Sequence, residues 1–374
     1  MFILRKGFDQ IKPSSFFQRA KKLCVPTITT LLFSSAIAVA TPSMQHAVVQ
    51  AGTGDIDVLH YREVPVLEPG QGQVLVRIYA ATVNPIDWKN RSGMFVNRPE
   101  RGYAPPTVTA PTPENTRIPG SDAAGIIEKV GPGVTGFNVG DAVYASISGN
   151  GVDGLNGSYS EFAIASADSI FHKPANMTYA QAAGLGTATS TGVGAVVAMD
   201  VKAGQRVLIL GAAGGVGSAA LQAAKERGAY VVGTASSRHQ DYLNSLGIDE
   251  YYDYRKGTWQ DEIKDIDVVI DTVSLDNLKL AMKTVKPGAV VVGFNGSLIE
   301  EECQQFQVVC ASRGVSGGGV RQEVARLAQA GKLQVNVDGV FPLEKAGEAQ
   351  EENRNGGTQG KIILAVDPQM VNAR

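Results

Sequence analysis

Residues 206–217 read RVLILGAAGGVG and lead directly into the helical pattern SAALQAAKERG. This order predicts a strand, a glycine-rich turn and a helix, in which Gly214 lets the backbone approach a pyrophosphate and Gly217 permits close helix–strand packing. The helix amino terminus also offers free N–H groups and a positive dipole end to an anion. Ala212 replaces the first glycine of the G-x-G-x-x-G pattern, and the alternative is a glycine-rich turn without a ligand. The strand and helix on either side favour dinucleotide binding, and the predicted loop comprises Gly214, Gly215, Val216 and Gly217.

Around this loop, apolar strands alternate with helical patterns. The runs VLIL, DVVID and AVVVGF are continuously apolar, which indicates burial on both faces of a parallel sheet. A helix over 178–198 precedes the first strand, and another ends near Gly331. Strands are predicted at 206–210, 230–235, 250–254, 267–273, 289–294 and 307–314. We therefore predict an α/β nucleotide-binding domain over residues 169–331.

The flanking segments read as β-structure. Residues 44–168 contain short runs such as HAVVQ, VLVRIYAATV and AGIIEKVG, separated by turn residues every eight to twelve positions. Residues 332–374 return to short strands and end in GKIILAV. The chain is thus expected to leave a β module, build the α/β domain and come back.

Residues 1–43 differ from the rest of the chain and are predicted to be a targeting segment. They carry six Lys/Arg and one Asp, and the basic stretch is followed by an apolar run and the small residues Ala38-Val39-Ala40. This pattern is typical of a cleaved export signal. An uncleaved membrane anchor, an organellar transit peptide and a translation start at Met44 stay open, the last placing the protein in the cytoplasm. N-terminal sequencing of the native protein distinguishes them.

Composition excludes several classes of protein. The 374 residues are 44% hydrophobic and 19% charged, which excludes a coiled coil and a disordered chain. Beyond the leader, 28 basic and 35 acidic residues give a net charge of −7, so no general attraction for nucleic acid is expected. Three cysteines are too few for a disulfide scaffold or a four-thiolate zinc site.

The end of the second predicted strand favours one coenzyme over the other. YVVGTA is followed by Ser236, Ser237 and Arg238 instead of the Asp or Glu that binds the ribose hydroxyls of NAD. Hydroxyls and a guanidinium suit a 2′-phosphate, which a carboxylate would repel. We therefore predict NADPH as the coenzyme; the alternative is that Arg238 is a solvated loop residue.

Several segments, in order, resemble the medium-chain dehydrogenase/reductase superfamily, in particular its zinc-free quinone oxidoreductase and enone or alkenal reductase branch. The landmarks are NPID at 84–87, IPGSDAAGIIEKVGPGVTGFNVGDAVYA, GSYSEFAIA, the AAGGVG loop, DVVIDTV and GKIIL. The resemblance implies a GroES-like β catalytic domain split around a Rossmann domain, with the active site in the cleft between them. It also implies that Tyr254, after the third strand, contacts the adenosine phosphate, and that the strand at 307–314 joins two subunits of a homodimer.

The metal ligands of the zinc-dependent members are replaced in this sequence. Asn84 stands where they have a Cys, and Ser121-Asp122 stands where they have a His-Glu pair. The four histidines are scattered without ligand spacing. No metal site is expected.

The resemblance places candidate catalytic residues after the run VLVRIYAATV. Asn84 is predicted to donate a hydrogen bond to the acceptor's carbonyl oxygen, Lys89 to supply a positive charge there, and Asp87 to orient Lys89 or the nicotinamide side of the pocket. Trp88 and Tyr103 are candidate aromatic pocket residues. The alternatives are an ordinary Asn-Pro turn and a solvent-facing lysine.

The predicted function is NADPH-dependent reduction of a quinone or an α,β-unsaturated carbonyl by hydride transfer. One rival is an NADP-dependent alcohol or aldehyde oxidoreductase, disfavoured because no metal is available to polarise an unactivated carbonyl. Another is a coenzyme-binding redox sensor with little activity. The expected partners are a small-molecule substrate and a second copy of the chain, with membrane contact only if the leader is uncleaved.

Overall fold

The structure is a computed structural model that describes residues 41–94, 116–147, 154–311 and 318–374. Residues 41–374 cluster as one compact unit. The leader up to residue 40, Tyr103 and the last part of the predicted strand 307–314 lie outside the described residues. In the part of the chain that is described, no helix combines the length and the apolar character needed to cross a bilayer.

The first part of the chain is built mainly of strands joined by glycine- and proline-containing turns. A short helix, α1 (Pro85–Arg91), follows the longest of them and begins with a proline at its first position, where the missing N–H costs nothing. The strands are β1 (Met44–Gln50), β2 (Leu59–Pro65), β3 (Gln73–Val83), β4 (Asp122–Val130), β5 (Ala142–Ser146), β6 (Phe162–Ser166) and β7 (Ile170–His172).

The middle of the chain alternates helices and strands. The helices are α2 (Tyr179–Ala183), α3 (Thr187–Ala198), α4 (Gly215–Glu226), α5 (Gln240–Ser245), α6 (Trp259–Glu262), α7 (Leu275–Ala281), α8 (Glu300–Gln305) and α9 (Gly318–Gln329). The strands are β8 (Arg206–Leu210), β9 (Tyr230–Ala235), β10 (Glu250–Asp253), β11 (Ile266–Asp271), β12 (Val285–Gly293) and β13 (Val309–Cys310). The chain ends with β14 (Val337–Pro342), α10 (Ala346–Asn355) and β15 (Lys361–Ala365).

Strands β8 to β13 form a parallel sheet in the order β10-β9-β8-β11-β12-β13. This order reverses between β8 and β11, which is the topological switch point where such sheets bind ligands at their carboxyl ends. The central strands β8 and β11 are buried, as their apolar sequences predict. The predicted α/β nucleotide-binding fold is confirmed.

The second large sheet, antiparallel except for the parallel pair β14–β15, has β3 at its centre. Strand β4 pairs with most of one edge of β3, while β6 and β15 divide the other edge between them. Among the described residues, the sheet runs β14-β15-β3-β4-β5-β7. Because β15 comes from the end of the chain, the last segment completes the sheet that the first segment begins.

The predicted helix over 178–198 is interrupted. Gly184, Leu185 and Gly186 separate α2 from α3. Helix α3 begins where the backbone N–H of Thr187 donates to Asp122 Oδ1 at 2.9 Å, and a Cβ on Gly186 would lie 2.3 Å from that oxygen. The break therefore results from a contact with β4 that the local sequence does not reveal.

A disulfide joins Cys303 of α8 to Cys310 of β13. This bridge was not predicted from the sequence, in which three cysteines are too few for a scaffold of several disulfides. Cys303 is buried in the cluster below the parallel sheet, so the bridge ties the last described strand of the sheet to its covering helix.

The close approach of β4 to β3 generates a stability prediction. A Cβ on Gly125 would lie 1.9 Å from the carbonyl oxygen of Arg77, so Gly125→Ala must separate the strands and should destabilise the fold by about 2 kcal/mol. Gly319, which has open space within α9, is the matched control, and Gly319→Ala should be neutral or stabilise by up to ~1 kcal/mol. Denaturant midpoints check both variants, and equal midpoints would contradict the prediction.

Candidate active site

The glycine-rich loop between β8 and α4 has the geometry of an anion cradle. Gly211 has φ of 78°, and a Cβ on Gly217 would lie 2.2 Å from the Gly211 carbonyl oxygen. Gly214 precedes α4 without a side-chain cap, so the first N–H groups of the helix, from Gly215 and Val216 onward, stay directed at the loop. A side chain at Gly214 would find its nearest obstacle only at 3.6 Å, which leaves this side of the loop open to a pyrophosphate.

Ala212 in place of the first motif glycine is accommodated by the neighbouring strand. Its side chain is fully buried, and a Cβ on Gly233 of β9 would lie 2.8 Å from the Ala212 methyl group. The extra methyl group therefore occupies space that a glycine in β9 leaves free. The departure from the motif does not obstruct the cradle.

The predicted 2′-phosphate residues lie at the ends of two adjacent parallel strands, β9 and β10. Ser236 and Ser237 follow β9, and Tyr254, about half exposed, follows β10. Arg255, which the sequence analysis missed, donates from Nη2 to Ser237 Oγ at 2.6 Å and pairs with Asp253. Hydroxyl, aromatic and guanidinium groups thus meet at one corner of the sheet, together with the Asp253 carboxylate, whose charge is paired with Arg255.

Arg238 reaches from this corner to the last segment of the chain. Its guanidinium donates to the carbonyl oxygen of Gly357 and, through Nε, to His239 Nε2 at 3.1 Å. His239 Nδ1 lies 3.0 Å from Gln359 Oε1. The loop 356–360 is therefore held against the corner where the adenosine phosphate is expected, and Arg238 is not a purely solvated residue.

Asn84 is buried at the start of α1, with its side-chain amide inside a polar network. Nδ2 donates to Asp122 Oδ2 at 2.8 Å and to Thr82 Oγ1 at 3.3 Å, and Oδ1 accepts from Lys361 Nζ at 2.6 Å. Both amide hydrogens are therefore directed at protein acceptors. In this arrangement Asn84 organises its neighbours, and a hydrogen bond from it to a substrate would need one of these contacts to open.

Asp122 joins three elements. Its Oδ2 accepts from Thr82 of β3 and from Asn84, and its Oδ1 accepts from the backbone N–H and the hydroxyl of Thr187, both within 2.9 Å. Four donors satisfy both oxygens of this fully buried carboxylate. Asp122 fixes the starts of α1 and α3 relative to β4.

Asp87 is a second buried carboxylate, in the first turn of α1. Its Oδ2 accepts from the backbone N–H of Asn84 at 2.8 Å and from the hydroxyl of Tyr159 at 3.0 Å. Burial raises the pKa of Asp87 to about 6, although these two hydrogen bonds oppose the rise. Burial and the neighbouring Asp87 raise the pKa of Tyr159 well above its usual range, so its phenol stays a donor.

Lys89, also on α1, extends to the carboxyl end of the parallel sheet. Its Nζ donates to Asn295 Oδ1 at 2.8 Å, and Asn295 Nδ2 donates to the carbonyl oxygen of Thr272 at 2.7 Å. Asn295 follows β12 and Thr272 follows β11, beside the switch point. The ammonium also lies 5.4 Å from the centre of the Trp88 ring. Lys89 therefore contacts the edge where a nicotinamide coenzyme is expected, rather than solvent alone.

Asp271, at the end of β11, is a further buried carboxylate at this edge of the parallel sheet. Oδ1 accepts from the backbone N–H of Val273 at 3.0 Å, while Oδ2 has no hydrogen-bond partner within the described ranges. Burial raises the pKa of Asp271 to about 6. The carboxylate lies next to the glycine-rich loop, since β11 pairs directly with β8.

Comparison with known proteins identifies the family of this chain. The model of the zinc-binding dehydrogenase family matches residues 246–364, and that of the alcohol dehydrogenase GroES-like domain matches residues 70–175. The chain is 32% identical to the chloroplastic NADPH-dependent alkenal/one oxidoreductase of Arabidopsis thaliana, over 86% of this chain and 80% of that protein. It is also 32% identical to the quinone oxidoreductase of Mus musculus, over 81% and 92% of the two chains.

The chain belongs to the medium-chain dehydrogenase/reductase superfamily. A solved quinone oxidoreductase from Coxiella burnetii superposes with a TM-score of 0.72 and 27% identity, covering 86% of this chain and 99% of that one. The GroES-like and Rossmann-like fold class is thereby confirmed, and so is the resemblance to the quinone and alkenal reductase branch.

At the positions of the zinc ligands in the zinc-dependent members, this chain has side chains that hydrogen-bond each other. Asn84 and Asp122 hydrogen-bond each other, and the Lys361 ammonium lies against Asn84. In the described ranges, no three His, Cys, Asp or Glu side chains cluster in a way that could hold a metal ion. The donor set here is an amide, a carboxylate and an ammonium, which does not suit zinc.

Sequence reasoning missed three residues of this site. Lys361 was seen only as part of the GKIIL landmark, although a lysine opening a fully buried strand is itself a signal. Asn295 follows an apolar strand at the expected ligand edge. Arg255 lies next to the predicted Tyr254, and its pairing across to Ser237 depends on the parallel alignment of β9 with β10.

The raised pKa of Asp87 predicts a pH dependence of stability. Between its ordinary value of 3.8 and about 6, the folded protein binds more protons at Asp87 than the unfolded chain does. This contribution to the free energy of unfolding is fully present below pH 3.8 and is lost as the pH rises through about 6. Asp87→Asn should therefore reduce the pH dependence across that interval, by at most roughly 3 kcal/mol.

Urea unfolding at several pH values measures this slope. Asp271 titrates in the same direction, so the double variant Asp87→Asn/Asp271→Asn should be flatter than either single variant. A slope in Asp87→Asn equal to that of the wild type would show that Asp87 titrates normally in the folded protein.

Proposed function

We propose that this protein is an NADPH-dependent reductase of quinones or α,β-unsaturated carbonyls that works without a metal ion. The observation that carries the proposal is the presence of the Lys89 ammonium and the glycine-rich loop at the same carboxyl edge of one parallel sheet. This places a fixed positive charge beside the region where a bound dinucleotide would present its nicotinamide. The names of the alkenal/one and quinone oxidoreductase relatives agree with this activity.

The coenzyme would be held along the edge of the parallel sheet. The N–H groups at the start of α4, from Gly215 to Gly217, would receive the pyrophosphate. The 2′-phosphate would lie at the corner formed by Ser237, Arg238 and Arg255, with Tyr254 beside it. When bound, NADPH supplies the hydride, and negative charge then develops on the acceptor's carbonyl oxygen.

Lys89 Nζ is the group that we assign to this developing charge. It already donates a hydrogen bond to the neutral amide oxygen of Asn295. A carbonyl oxygen of the acceptor can take the place of this oxygen as the hydrogen-bond partner. Its proton can pass to the reduced oxygen and be replaced from solvent.

Asn84 and Asp87 would then hold α1 in position and would not contact the acceptor. Asn84 anchors the first residue of α1 to β4, and Asp87 accepts from the Asn84 backbone N–H and from Tyr159. Together they fix the short helix from which Lys89 projects. Trp88, which donates from its indole to Asn353 at 3.2 Å, anchors the same helix to α10.

The alcohol or aldehyde oxidoreductase is less well supported. Reduction of an isolated carbonyl gains from a Lewis acid, and the side chains at the ligand positions are already bound to one another. Quinones and conjugated carbonyls spread the incoming charge over a longer system, so a single ammonium suffices. The redox-sensor alternative predicts coenzyme binding without turnover.

Activity against an acceptor panel tests the proposed function. The full-length protein should oxidise NADPH with naphthoquinone, benzoquinone or 2-alkenals well above background, and with saturated aldehydes close to background. Lys89→Met should lower kcat by about 100-fold, because it removes the donor to the developing charge. Lys129→Met, which removes an exposed lysine paired with Glu68, is the matched control.

Other results would redirect the assignment. Faster turnover of saturated aldehydes than of 2-alkenals would favour the aldehyde oxidoreductase. Tight NADPH binding without turnover of any acceptor would favour the sensor, and unchanged kcat in Lys89→Met would remove Lys89 from the chemistry.

The choice of NADPH is tested at the 2′-phosphate corner. Arg238→Gln should weaken NADPH binding by about 10-fold or more, since a charge-assisted hydrogen bond is lost, and should change NADH binding much less. Fluorescence titration with both coenzymes measures this difference. Arg326→Gln, on the exposed face of α9, is the matched control. An equal loss for both coenzymes would show that Arg238 acts through Gly357 and not through the phosphate.

The targeting segment and the homodimer stay predictions. A structural disulfide is typical of proteins from oxidising compartments, so the Cys303–Cys310 bridge favours export over a start at Met44. Strand β13 forms one edge of the parallel sheet within the described residues, which is the edge assigned to the dimer by the resemblance.

A further inference from the structure

Lys361 is a buried lysine between the glycine-rich loop and the start of α1. We propose that it is a positioning residue, which couples the coenzyme loop to Asn84 and, through α1, to Lys89. The inference rests on the proposed function, because it assigns how that site is held together. It follows from the contacts at both ends of the side chain and from the cost of burying its charge.

At its far end, Lys361 fixes the turn between β3 and α1. Nζ donates to the carbonyl oxygen of Val83 at 2.8 Å and to Asn84 Oδ1 at 2.6 Å. These are the last residue of β3 and the residue that caps α1. The ammonium therefore holds the point from which α1, and with it Lys89, projects.

Along its length, Lys361 passes directly beside the glycine-rich loop. A Cβ on Gly215 would lie 2.8 Å from Lys361 Cδ, and a Cβ on Gly184 would lie 3.4 Å from its Cγ. Any larger side chain at residue 215 would displace the lysine. The absence of a side chain at Gly215 thus serves the packing of Lys361 as well as the approach of a phosphate.

The backbone before Lys361 is also bound to this loop. Gly360 donates its N–H to the carbonyl oxygen of Ala213 at 2.9 Å, and Gly360 forms a parallel bridge with Gly214. Gly360 has φ of 84°, and a Cβ there would lie 2.4 Å from the Asn336 carbonyl oxygen, so the approach depends on glycine. A displacement of the loop on coenzyme binding must therefore act on residues 360 and 361.

Stability alone does not account for this lysine. The side chain is 5% exposed at the start of a strand whose other residues are apolar and buried. Burial lowers the pKa of Lys361, against the opposing effect of the Asp122 and Asp87 carboxylates. Replacing buried charged groups with apolar side chains of similar size is often neutral or stabilising in proteins. An apolar side chain at position 361 would lack the hydrogen bond to Asn84.

These contacts form a continuous path. It runs from Gly214 and Gly360 along Lys361 to Asn84, then through α1 to Lys89, which returns to the parallel sheet at Asn295. Each link is a hydrogen bond, a direct packing contact or the covalent chain itself. Loss of the Lys361 ammonium should therefore alter the orientation of Asn84 and the reach of Lys89, while the glycine-rich loop stays formed.

The test compares the full-length wild type with Lys361→Met, which keeps the length of the side chain and removes its donor. The expected kcat for naphthoquinone is lower by about 10-fold or more, with a smaller change in the KM for the quinone and in the NADPH dissociation constant. Lys361→Arg should recover part of the loss, since it keeps the charge. Lys332→Met, which removes an exposed lysine of the same domain, is the matched control and should leave kcat unchanged.

A double-mutant cycle separates positioning from a merely structural role. If Lys361 acts through Lys89, adding Lys361→Met to Lys89→Met should lower kcat by less than about twofold. A purely structural lysine would instead lower the melting temperature and leave the kcat of the folded enzyme unchanged. That result, or fully additive effects in the double variant, would overturn the inference.

A structural measurement decides the inference independently of turnover. The coenzyme-free crystal structure of Lys361→Met should show the Asn84 amide turned or the Lys89–Asn295 contact broken, and an unchanged network would overturn the inference. Where Lys361→Met does not fold, Lys361→Gln, whose neutral side chain is one atom shorter, serves for both measurements. Failure of the wild type on every acceptor would refute the proposed function, whereas the crystal structure would still test the role of Lys361.

Discussion

The buried carboxylate of Asp122 is the interaction on which the arrangement of the site depends. It receives hydrogen bonds from Thr82 at the end of β3, from Asn84 before α1 and from Thr187 at the start of α3. Helix α3 packs so closely on α4 that a Cβ on Gly192 would lie 2.3 Å from the Val216 carbonyl oxygen. One side chain of the antiparallel sheet therefore sets the position of the helix that supports the coenzyme loop.

Burying a charged group costs desolvation free energy. Here opposite charges lie close together and hydrogen bonds satisfy the polar atoms, which offsets part of that cost. The carboxyl groups of Asp87 and Asp122 both lie near Lys361, whose Nζ donates a hydrogen bond to Asn84 Oδ1. A neutral amide between a carboxylate and an ammonium can satisfy both, because it presents an N–H to one and an oxygen to the other. Such a network specifies a single orientation for each member, at the expense of stability that an apolar core would provide.

The sequence predicted the parallel sheet better than the site. Strands β8 and β9 have the predicted bounds because their apolar runs and glycine turns are local signals. The continuous helix over 178–198 was wrong because its break is imposed by Asp122, far away in sequence. Arg255 and Lys361 were missed for a related reason, since each acquires its role from a partner distant in sequence, Ser237 after β9 and Asn84 after β3. The roles of Asn84, Asp87 and Lys89 stay predictions, and the structure adds the network that joins the first two.

The side chains at the positions of the zinc ligands are bound to one another, which agrees with the proposed metal-free function. In zinc-dependent members, residues corresponding to Asn84 and to Ser121-Asp122 bind the cation. Here Asn84 donates to Asp122 and accepts from the Lys361 ammonium. This charge lies behind the first turn of α1, whereas the Lys89 ammonium lies at the open edge of the parallel sheet. Under the proposed function, Lys361 would hold the start of α1 in place and Lys89 would face the acceptor, so positioning and charge stabilisation would fall to two different side chains.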